Sequence, residues 1–339
     1  MRSQWHSLFL LALVFLGVQG LNIAITGTSQ GIGLDAAKRL IADGHTVYHA
    51  CRNQERADVA VLGAGGGVPM VCDLADLSSV QKFANNLKNE APKLDVLCLN
   101  AGIAPSTKAK VPQLTKQGFE ECIGVNHLGH FLLASLLKDH LSQEGGGRLV
   151  TTASSVHDPE GAGGAVGGKG GATLGDLSGF GIRLNTNPDG PTMPDGSFEY
   201  DGGKVYKDSK LCNLLFCREA LKRWGEDDIA IRSYNPGFIP SSGLFRAPRK
   251  DNWLGASAFT FIAGLVGFAV PIEVGGERLA YMASADDTEV PSGSYFSAEV
   301  GSKAATKAEG FEPSTVSVEA SDDKLATRLW DLSTEYVVM

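Results

Sequence analysis

Short apolar runs, often β-branched, alternate along the chain with longer amphipathic stretches. The runs lie at residues 21–26, 46–50, 68–72, 94–99, 148–153, 229–234 and 294–297, and we predict each as a buried strand. The amphipathic stretches lie at 34–43, 78–90, 119–143, 204–224 and 273–284, and we predict each as a helix. Strands that alternate with helices predict a parallel sheet covered on both faces, which is a doubly wound α/β fold in a single domain.

Two segments do not follow this alternation. Residues 157–203 are rich in Gly, Pro and polar residues, and 161–171 are almost entirely Gly and Ala, which predicts a long, partly mobile insertion. Residues 256–270 are apolar, interrupted by glycine and too short to cross a bilayer comfortably. We predict that residues 244–272 form a lid over a substrate pocket. A membrane-surface contact, core packing or a homo-oligomer contact would suit the same apolar stretch.

The first twenty residues resemble a cleaved secretory leader. Arg2 and His6 precede an apolar run at 8–18, and small residues follow at the positions that a signal peptidase prefers. We therefore expect residues 1–20 to be a signal peptide and the mature domain to begin near Leu21; an uncleaved anchor is the alternative. Such a leader suits an extracellular or endoplasmic-reticulum protein, and equally a plastid that is reached through the secretory pathway.

Composition and charge limit the partners. The chain has 339 residues with a net charge of −8 and no block of basic residues, which argues against nucleic-acid binding. We expect no metal site, because His127 and His130 lack an acidic neighbour at zinc spacing and no Cys-x-x-Cys pair occurs. We interpret those histidines as helix packing and polar surface. Cys51, Cys72 and Cys98 end apolar runs and are predicted to be free thiols in the core.

A glycine-rich turn follows the first predicted strand. The sequence Thr26-Gly-Thr-Ser-Gln-Gly-Ile-Gly33 stands between a strand and a helix, where backbone amides can approach a pyrophosphate closely. We therefore predict a nucleotide-binding turn formed by Gly27, Ser29, Gln30, Gly31, Ile32 and Gly33.

Other candidate ligand residues end the later strands, where ligands of such sheets bind. Arg52 ends the second strand, and a guanidinium there favours the 2'-phosphate of NADP over NAD; a solvated charge is the alternative. Asp73 and Leu74 follow the third strand, and Asn100, Ala101 and Gly102 follow the fourth. A helix cap and an ordinary turn would explain these two groups equally well.

Tyr206 and Lys210 lie four residues apart on a predicted helix, so they share one face. An ammonium beside a phenol lowers the pKa of the phenol, and such a tyrosine can exchange a proton at neutral pH. On spacing alone, a surface pair is the commoner explanation.

In combination these residues resemble the short-chain dehydrogenase/reductase family. The shared motifs occur in order over essentially the whole chain after residue 21: Thr26-Gly-x-x-x-Gly-x-Gly33, Asn100-Ala-Gly102, Asn126, Ser154, Tyr206-x-x-x-Lys210 and Asn235-Pro-Gly237. The resemblance implies a Rossmann-like domain over residues 21–339 that binds NADPH.

The resemblance also implies a role for each catalytic residue. Tyr206 would be the proton donor, and Lys210 would lower its pKa and hold the nicotinamide ribose. Ser154, in preference to Ser155, would hydrogen-bond the substrate or the tyrosine. Asn126 would order a water in the proton relay. At the nicotinamide end the family pattern implies Pro236, Gly237 and Ser241.

Within that family, the stretch Tyr206-Lys-Asp-Ser-Lys-Leu-Cys-Asn213 and the long insertion are similar to light-dependent protochlorophyllide reductases. This similarity implies light-driven reduction of a tetrapyrrole in chlorophyll biosynthesis, with a hydride from NADPH and a proton from Tyr206. Cys212 matches a cysteine implicated in that group, and packing against the sheet is its alternative role. Phe238 stands where those enzymes usually carry a cysteine.

Two other functions stay open on the sequence. A ground-state carbonyl reductase or alcohol dehydrogenase acting on retinoid-like or other lipids would turn over in darkness. A non-catalytic NADP-binding or pigment-binding protein would bind without turnover. Among the settings that the leader allows, only a plastid suits chlorophyll synthesis.

Overall fold

The computed structural model describes residues 20–143, 145–161, 163–164, 171–245, 269–298 and 310–338. The predicted leader and most of the predicted lid lie outside the described residues, as does part of the glycine tract.

In the described part of the chain, eight strands form one sheet in the order β3-β2-β1-β4-β5-β6-β7-β8. Their bounds are β1 Asn22–Thr26, β2 Thr46–Cys51, β3 Val68–Val71, β4 Val96–Leu99, β5 Gly147–Thr152, β6 Ile229–Tyr234, β7 Tyr295–Ser297 and β8 Glu312–Pro313. Strands β1 to β7 pair in parallel, and β8 runs antiparallel to β7. The seven predicted strands and the doubly wound fold are confirmed. Because the strand order reverses between β1 and β4, a ligand site is expected at their carboxyl ends.

The helices cover both faces of this sheet. They are α1 Gly31–Ala42, α2 Gln54–Ala64, α3 Leu77–Glu90, α4 Glu121–Ile123, α5 Gly129–Leu141, α6 Gly202–Trp224, α7 Ile272–Ser284 and α8 Asp323–Val337. A π-helical turn, Gly124–Leu128, joins α4 to α5. The five predicted helices are confirmed, whereas α2 and α8 were not predicted. Helix α2 buries only the alanines Ala57, Ala60 and Ala64, so its apolar pattern is weak.

Two hydrophobic cores hold the layers together. On one face, side chains of α3, α5, α6 and α8 pack on the sheet, for example Val80, Leu133 and Leu215. On the other face, α1 and α7 supply residues such as Leu40 and Leu279. All six cysteines are free and buried, which confirms the free-thiol interpretation.

The described part of the predicted insertion is irregular in conformation but packed into the first core. Leu174, Leu177, Phe180, Met193 and Tyr200 are all buried there. Residues 171–201 are therefore anchored to the domain instead of forming a loosely attached loop. Their apolar side chains follow no helical or strand period, so the sequence pattern did not show that they are buried.

Candidate active site

A cavity of about 430 Å³ opens at the carboxyl ends of the central strands. The predicted site residues that line it are Gly27, Ser29, Gln30, Gly31, Ile32, Gly33, Arg52, Asp73, Leu74, Asn100, Ala101, Gly102, Ser154, Tyr206, Lys210, Pro236 and Gly237. Asn126, Cys212 and Ser241 do not line it. The structure thus brings together in one cavity residues that are up to 210 positions apart in the chain.

The turn after β1 has the backbone that close approach to a phosphate requires. Gly27 and Gly31 have φ of 77° and 62°, a region that favours glycine. A Cβ on Gly27 would lie 2.9 Å from the Cβ of Ala101, and one on Gly33 would lie 2.5 Å from the carbonyl oxygen of Gly27. Because this turn leads into the N-terminus of α1 at the cavity wall, it fits the pyrophosphate of a dinucleotide.

Thr26 connects this turn to the segment that follows β4. Its hydroxyl oxygen accepts hydrogen bonds from the backbone amides of Asn100 and Ala101, both at 2.9 Å. The side-chain amide nitrogen of Asn100, Nδ2, donates to the Thr26 carbonyl at 2.9 Å. The shape of the cavity floor therefore depends on a threonine that the sequence analysis treated only as part of a motif.

The end of the cavity nearest β2 carries two guanidinium groups. Arg52 follows β2, and Arg56, which was not predicted, lines the same end from the first turn of α2. Glu121 faces them: burial raises the pKa of its carboxyl, and the charge of Arg52 opposes that rise. Two cations at the end of β2 fit a 2'-phosphate. Spacing alone does not identify Arg56, because Arg52 lies before the N-cap of the helix that carries Arg56.

At the opposite end of the cavity, Tyr206 on α6 lies beside Ser154, which follows β5. Burial raises the pKa of the Tyr206 phenol above its ordinary value, nearby Cys122 adds to the rise, and a hydrogen bond with Ser154 opposes it. Ser154 also accepts a hydrogen bond from the amide of Val156 at 3.4 Å, which holds it at the start of a short 3-10 turn. The phenol therefore stays protonated at neutral pH and is poised to donate.

Lys210 is buried next to Tyr206. Its Nζ lies 5.8 Å from the centroid of the tyrosine ring and donates to the Thr152 carbonyl at 3.0 Å. Burial lowers the pKa of Lys210 to about 8. Burial dominates the pKa of the Tyr206 phenol in this structure, so the lowering of that pKa by Lys210 stays a prediction.

Asn126 lies in the π-helical turn, directly behind the cavity wall. Its side-chain oxygen accepts from the amide of Ile103 at 2.9 Å, and its nitrogen donates to Ser209 Oγ at 2.9 Å. A Cβ on Gly102 would lie 3.4 Å from Asn126 Oδ1 and 3.7 Å from Lys210 Nζ, so both groups converge on Gly102. Asn126 thereby positions the cavity wall beside Lys210.

His130 holds this π-helical turn against the glycine-rich turn. One ring nitrogen, Nδ1, lies 3.1 Å from the Asn126 carbonyl, and the other, Nε2, lies 2.9 Å from Thr26 Oγ1. Both His127 and His130 are buried, so the surface part of their interpretation is wrong. Because the Asn126 carbonyl of the preceding turn and the Thr26 hydroxyl of β1 satisfy both ring nitrogens of His130, burial of the ring is tolerated.

Two predicted site residues lie elsewhere. Cys212 is fully buried in the first core, on the side of α6 away from the cavity, and burial raises the pKa of its thiol. Ser241 is exposed, whereas Ser242 lines the cavity because a tight turn brings the Ser242 amide to the Ile239 carbonyl at 3.0 Å.

The described residues contain no cluster of His, Cys, Asp or Glu arranged to hold a metal ion. No helix within the same residues is long and apolar enough to span a membrane.

Comparison with known proteins matches residues 21–166 to the short chain dehydrogenase family model. Protochlorophyllide reductase A, chloroplastic, of Oryza sativa subsp. japonica is 39% identical over 325 residues, which cover 93% of this chain and 80% of the rice protein. Protochlorophyllide reductase of Avena sativa is also 39% identical, over 93% of this chain and 99% of the oat protein.

Solved structures agree on the fold. An uncharacterized protein from Mycobacterium paratuberculosis superposes with a TM-score of 0.66 at 27% identity, over 94% of this chain and 93% of its own. A 3-ketoacyl-(acyl-carrier-protein) reductase from Brucella melitensis, solved with NADH, has a TM-score of 0.58 at 18% identity. The match covers 82% of this chain and 96% of the Brucella chain. At that identity the second likeness concerns the fold alone.

Proposed function

Because the chain belongs to the short-chain dehydrogenase/reductase family and is an oxidoreductase similar to protochlorophyllide reductases, we propose that it reduces protochlorophyllide to chlorophyllide with NADPH under light. One observation carries the proposal. The cavity combines a dinucleotide turn and two arginines at one end with Tyr206, Ser154 and Lys210 at the other. A tetrapyrrole substrate suits the predominantly apolar wall between these ends.

NADPH supplies the hydride when it is bound. The turn that contains Gly27 and Gly31 would hold its diphosphate, and Arg52 and Arg56 would hold its 2'-phosphate. Two guanidinium groups at the end of β2 are the reason to propose NADPH in preference to NADH.

Tyr206 delivers the proton that accompanies the hydride. The buried phenol is protonated at neutral pH, and Ser154 orients it through their hydrogen bond. The Lys210 ammonium supplies positive charge beside the phenolate that forms, while the Thr152 carbonyl fixes its place. Asn126 maintains the backbone around Gly102, beside which the Lys210 ammonium lies.

An absorbance assay tests this proposal. Protein, NADPH and protochlorophyllide are mixed in darkness, and we expect no change until illumination, after which the red-shifted chlorophyllide band grows. Tyr206→Phe keeps the ring but removes the proton, so the light-driven rate should fall by about 100-fold or more.

Equal rates in darkness and light would contradict the role of light. Dark oxidation of NADPH with a lipid aldehyde or ketone would instead identify a ground-state carbonyl reductase. Cofactor binding without turnover of either substrate type would identify a binding protein.

A further inference from the structure

His157 is a buried histidine beside the cavity that the mechanism above does not use. It ends the short 3-10 turn Ser155–His157, whose N-cap is Ser154. Only 2% of His157 is exposed to solvent, and the residue does not line the cavity itself. Burial of an imidazole costs free energy unless its ring nitrogens are hydrogen-bonded, so the partners of the two nitrogens show what the ring is placed to do.

The two ring nitrogens contact backbone groups of opposite kind. Nδ1 lies 2.7 Å from the carbonyl oxygen of Ser154, which can only accept a hydrogen bond. Nε2 lies 3.1 Å from the backbone amide of Ser317, which can only donate one. Both contacts therefore require the same neutral tautomer, with the hydrogen on Nδ1. Burial lowers the pKa of His157, although the bond with Ser154 and the charge of Asp158 oppose the shift, so the ring is neutral at pH 7.

The surroundings of the imidazole keep it in this orientation. The Tyr295 ring of β7 packs edge to face with it, with centroids 5.5 Å apart and an interplanar angle of 81°. Ser317 belongs to a segment that is itself held at two other points. The amide of Ser314 donates to the Tyr295 carbonyl at 2.7 Å, and the Glu319 carboxylate accepts from the Leu174 amide at 2.7 Å. A segment distant in the chain thus fixes the position of the imidazole.

Ser154 is the residue on which this arrangement acts. Its hydroxyl hydrogen-bonds the Tyr206 phenol and accepts from the Val156 amide at 3.4 Å. Its carbonyl accepts from the backbone amide of His157 at 3.3 Å and from the imidazole at 2.7 Å. The imidazole bond is the shorter of these two, so the side chain of His157 restrains the backbone that carries the hydroxyl.

We propose that His157 is a positioning residue, whose imidazole holds the Ser154 carbonyl and thereby keeps the Ser154 hydroxyl on the Tyr206 phenol. The inference rests on the proposed function, in which that hydroxyl orients the proton donor. A misplaced donor transfers its proton less efficiently, so loss of the Nδ1 bond should lower kcat and leave cofactor binding unchanged. The Ser317 amide contributes by fixing the tautomer that can donate.

A purely structural role would be different. If His157 served only to attach the Ser317 segment to the domain, the bond at Nε2 would matter, and its loss would lower stability without changing kcat. If His157 positions Ser154, the bond at Nδ1 matters for kcat. Asparagine and glutamine separate the two roles, because the side-chain amide of asparagine reaches only as far as Nδ1, whereas that of glutamine reaches to Nε2.

The experiment measures light-driven turnover at saturating NADPH and protochlorophyllide for the intact protein and three variants. His157→Phe keeps an aromatic ring but removes both nitrogens, and we expect kcat to fall about 10-fold with KM for NADPH unchanged. His157→Asn should restore most of the rate, because its amide can donate to the Ser154 carbonyl. His157→Gln should remain as slow as His157→Phe.

A second measurement tests whether His157 acts through Ser154. In a Ser154→Ala background, His157→Phe should lower kcat no further, because the hydroxyl that it positions is already absent. The same reduction of kcat in both backgrounds would overturn the proposal. A rate of His157→Gln that equals or exceeds that of His157→Asn would overturn it as well.

His140→Phe is the matched control. His140 is also buried, and its Nε2 lies 3.0 Å from a backbone carbonyl, that of Ala91 at the end of α3. The substitution should lower the free energy of unfolding without changing kcat. Intact protein without light-driven turnover would reject the proposed function. An active intact protein whose kcat survives in His157→Phe would reject only the positioning role.

Discussion

At the scale of single residues, burial controls the protonation of Tyr206 and Lys210. Burial raises the pKa of the Tyr206 phenol and lowers that of the Lys210 ammonium to about 8, because each charged form loses hydration. Tyr206 therefore remains protonated over the whole neutral pH range. Lys210 is the residue of the two whose pKa lies close to neutral pH. The alkaline limit of activity should accordingly report Lys210.

We expect kcat/KM for NADPH to be level near pH 7 and to fall about tenfold per unit above pH 8, since Lys210 then loses its proton. A pH series of initial rates measures this. In Lys210→Arg, whose side chain keeps its charge, the fall should move to higher pH. A level profile up to pH 10 in the unaltered protein would show that the ammonium is not required.

A second prediction at this scale concerns cofactor choice. Arg52→Ala should raise KM for NADPH about 10- to 100-fold and leave KM for NADH unchanged, because only the 2'-phosphate is affected. Arg218→Ala removes a guanidinium that pairs with Asp323 at the surface and serves as the control. Equal changes for NADPH and NADH would place Arg52 outside the phosphate site.

At the scale of elements, α6 anchors the insertion as well as carrying Tyr206 and Lys210. Asp208, fully buried on α6, accepts from the amide of Thr173 at 3.0 Å and pairs with Lys204 at 2.7 Å. Lys204 also pairs with Asp195 at 3.1 Å. Two separate points of the insertion therefore depend on one turn of the catalytic helix. Burial raises the pKa of Asp208 to about 7, against the opposing effect of Lys204.

Asp208→Ala should lower the free energy of unfolding by about 3 kcal/mol, because it leaves Lys204 and the Thr173 amide without this acceptor. Asp208→Asn keeps an acceptor and should cost about 1 kcal/mol. Urea unfolding of both variants at pH 7.5 measures the difference. Equal stability of Asp208→Ala and the unaltered protein would show that the insertion is held by its apolar side chains alone.

At the scale of the whole molecule, buried histidines on the first face couple folding to pH. His127 lies among Phe131, Phe180 and Phe216, with one ring nitrogen 2.8 Å from Ser333 Oγ. Burial lowers the pKa of His127 to about 3 and that of His130 to about 4. The unfolded chain therefore binds protons on both residues at a higher pH than the folded chain does.

Stability from these histidines is fully present above pH 6.5 and is lost as pH falls from 6.5 toward 4. Each histidine should lower the free energy of unfolding by about 1.4 kcal/mol for every pH unit of acidification in that range. Urea unfolding at several pH values measures how the free energy of unfolding changes with pH. In His127→Leu this pH dependence should be smaller by about the contribution of one histidine. An unchanged slope in that variant would mean that His127 is already charged in the folded protein.

Local sequence patterns predicted most of the elements, and most of the predicted site residues line the cavity. Strand periodicity, glycine spacing and the position of residues at strand ends are local properties, and parallel pairing necessarily gathers strand ends at one edge. The alanine-faced helix α2 was missed because small side chains give a weak pattern. The packing of the insertion was missed because its apolar residues have no period.

The sequence by itself determined the doubly wound fold, the nucleotide turn and the Tyr206 and Lys210 pair, because each depends on residues close together in the chain. Only the tertiary structure decided which groups from distant elements meet. It placed Cys212 in the core and Ser242 at the cavity wall, and it brought Arg56 to the same wall and Ser317 to His157. It also decided the pKa values, since hydration is lost only when the layers pack together.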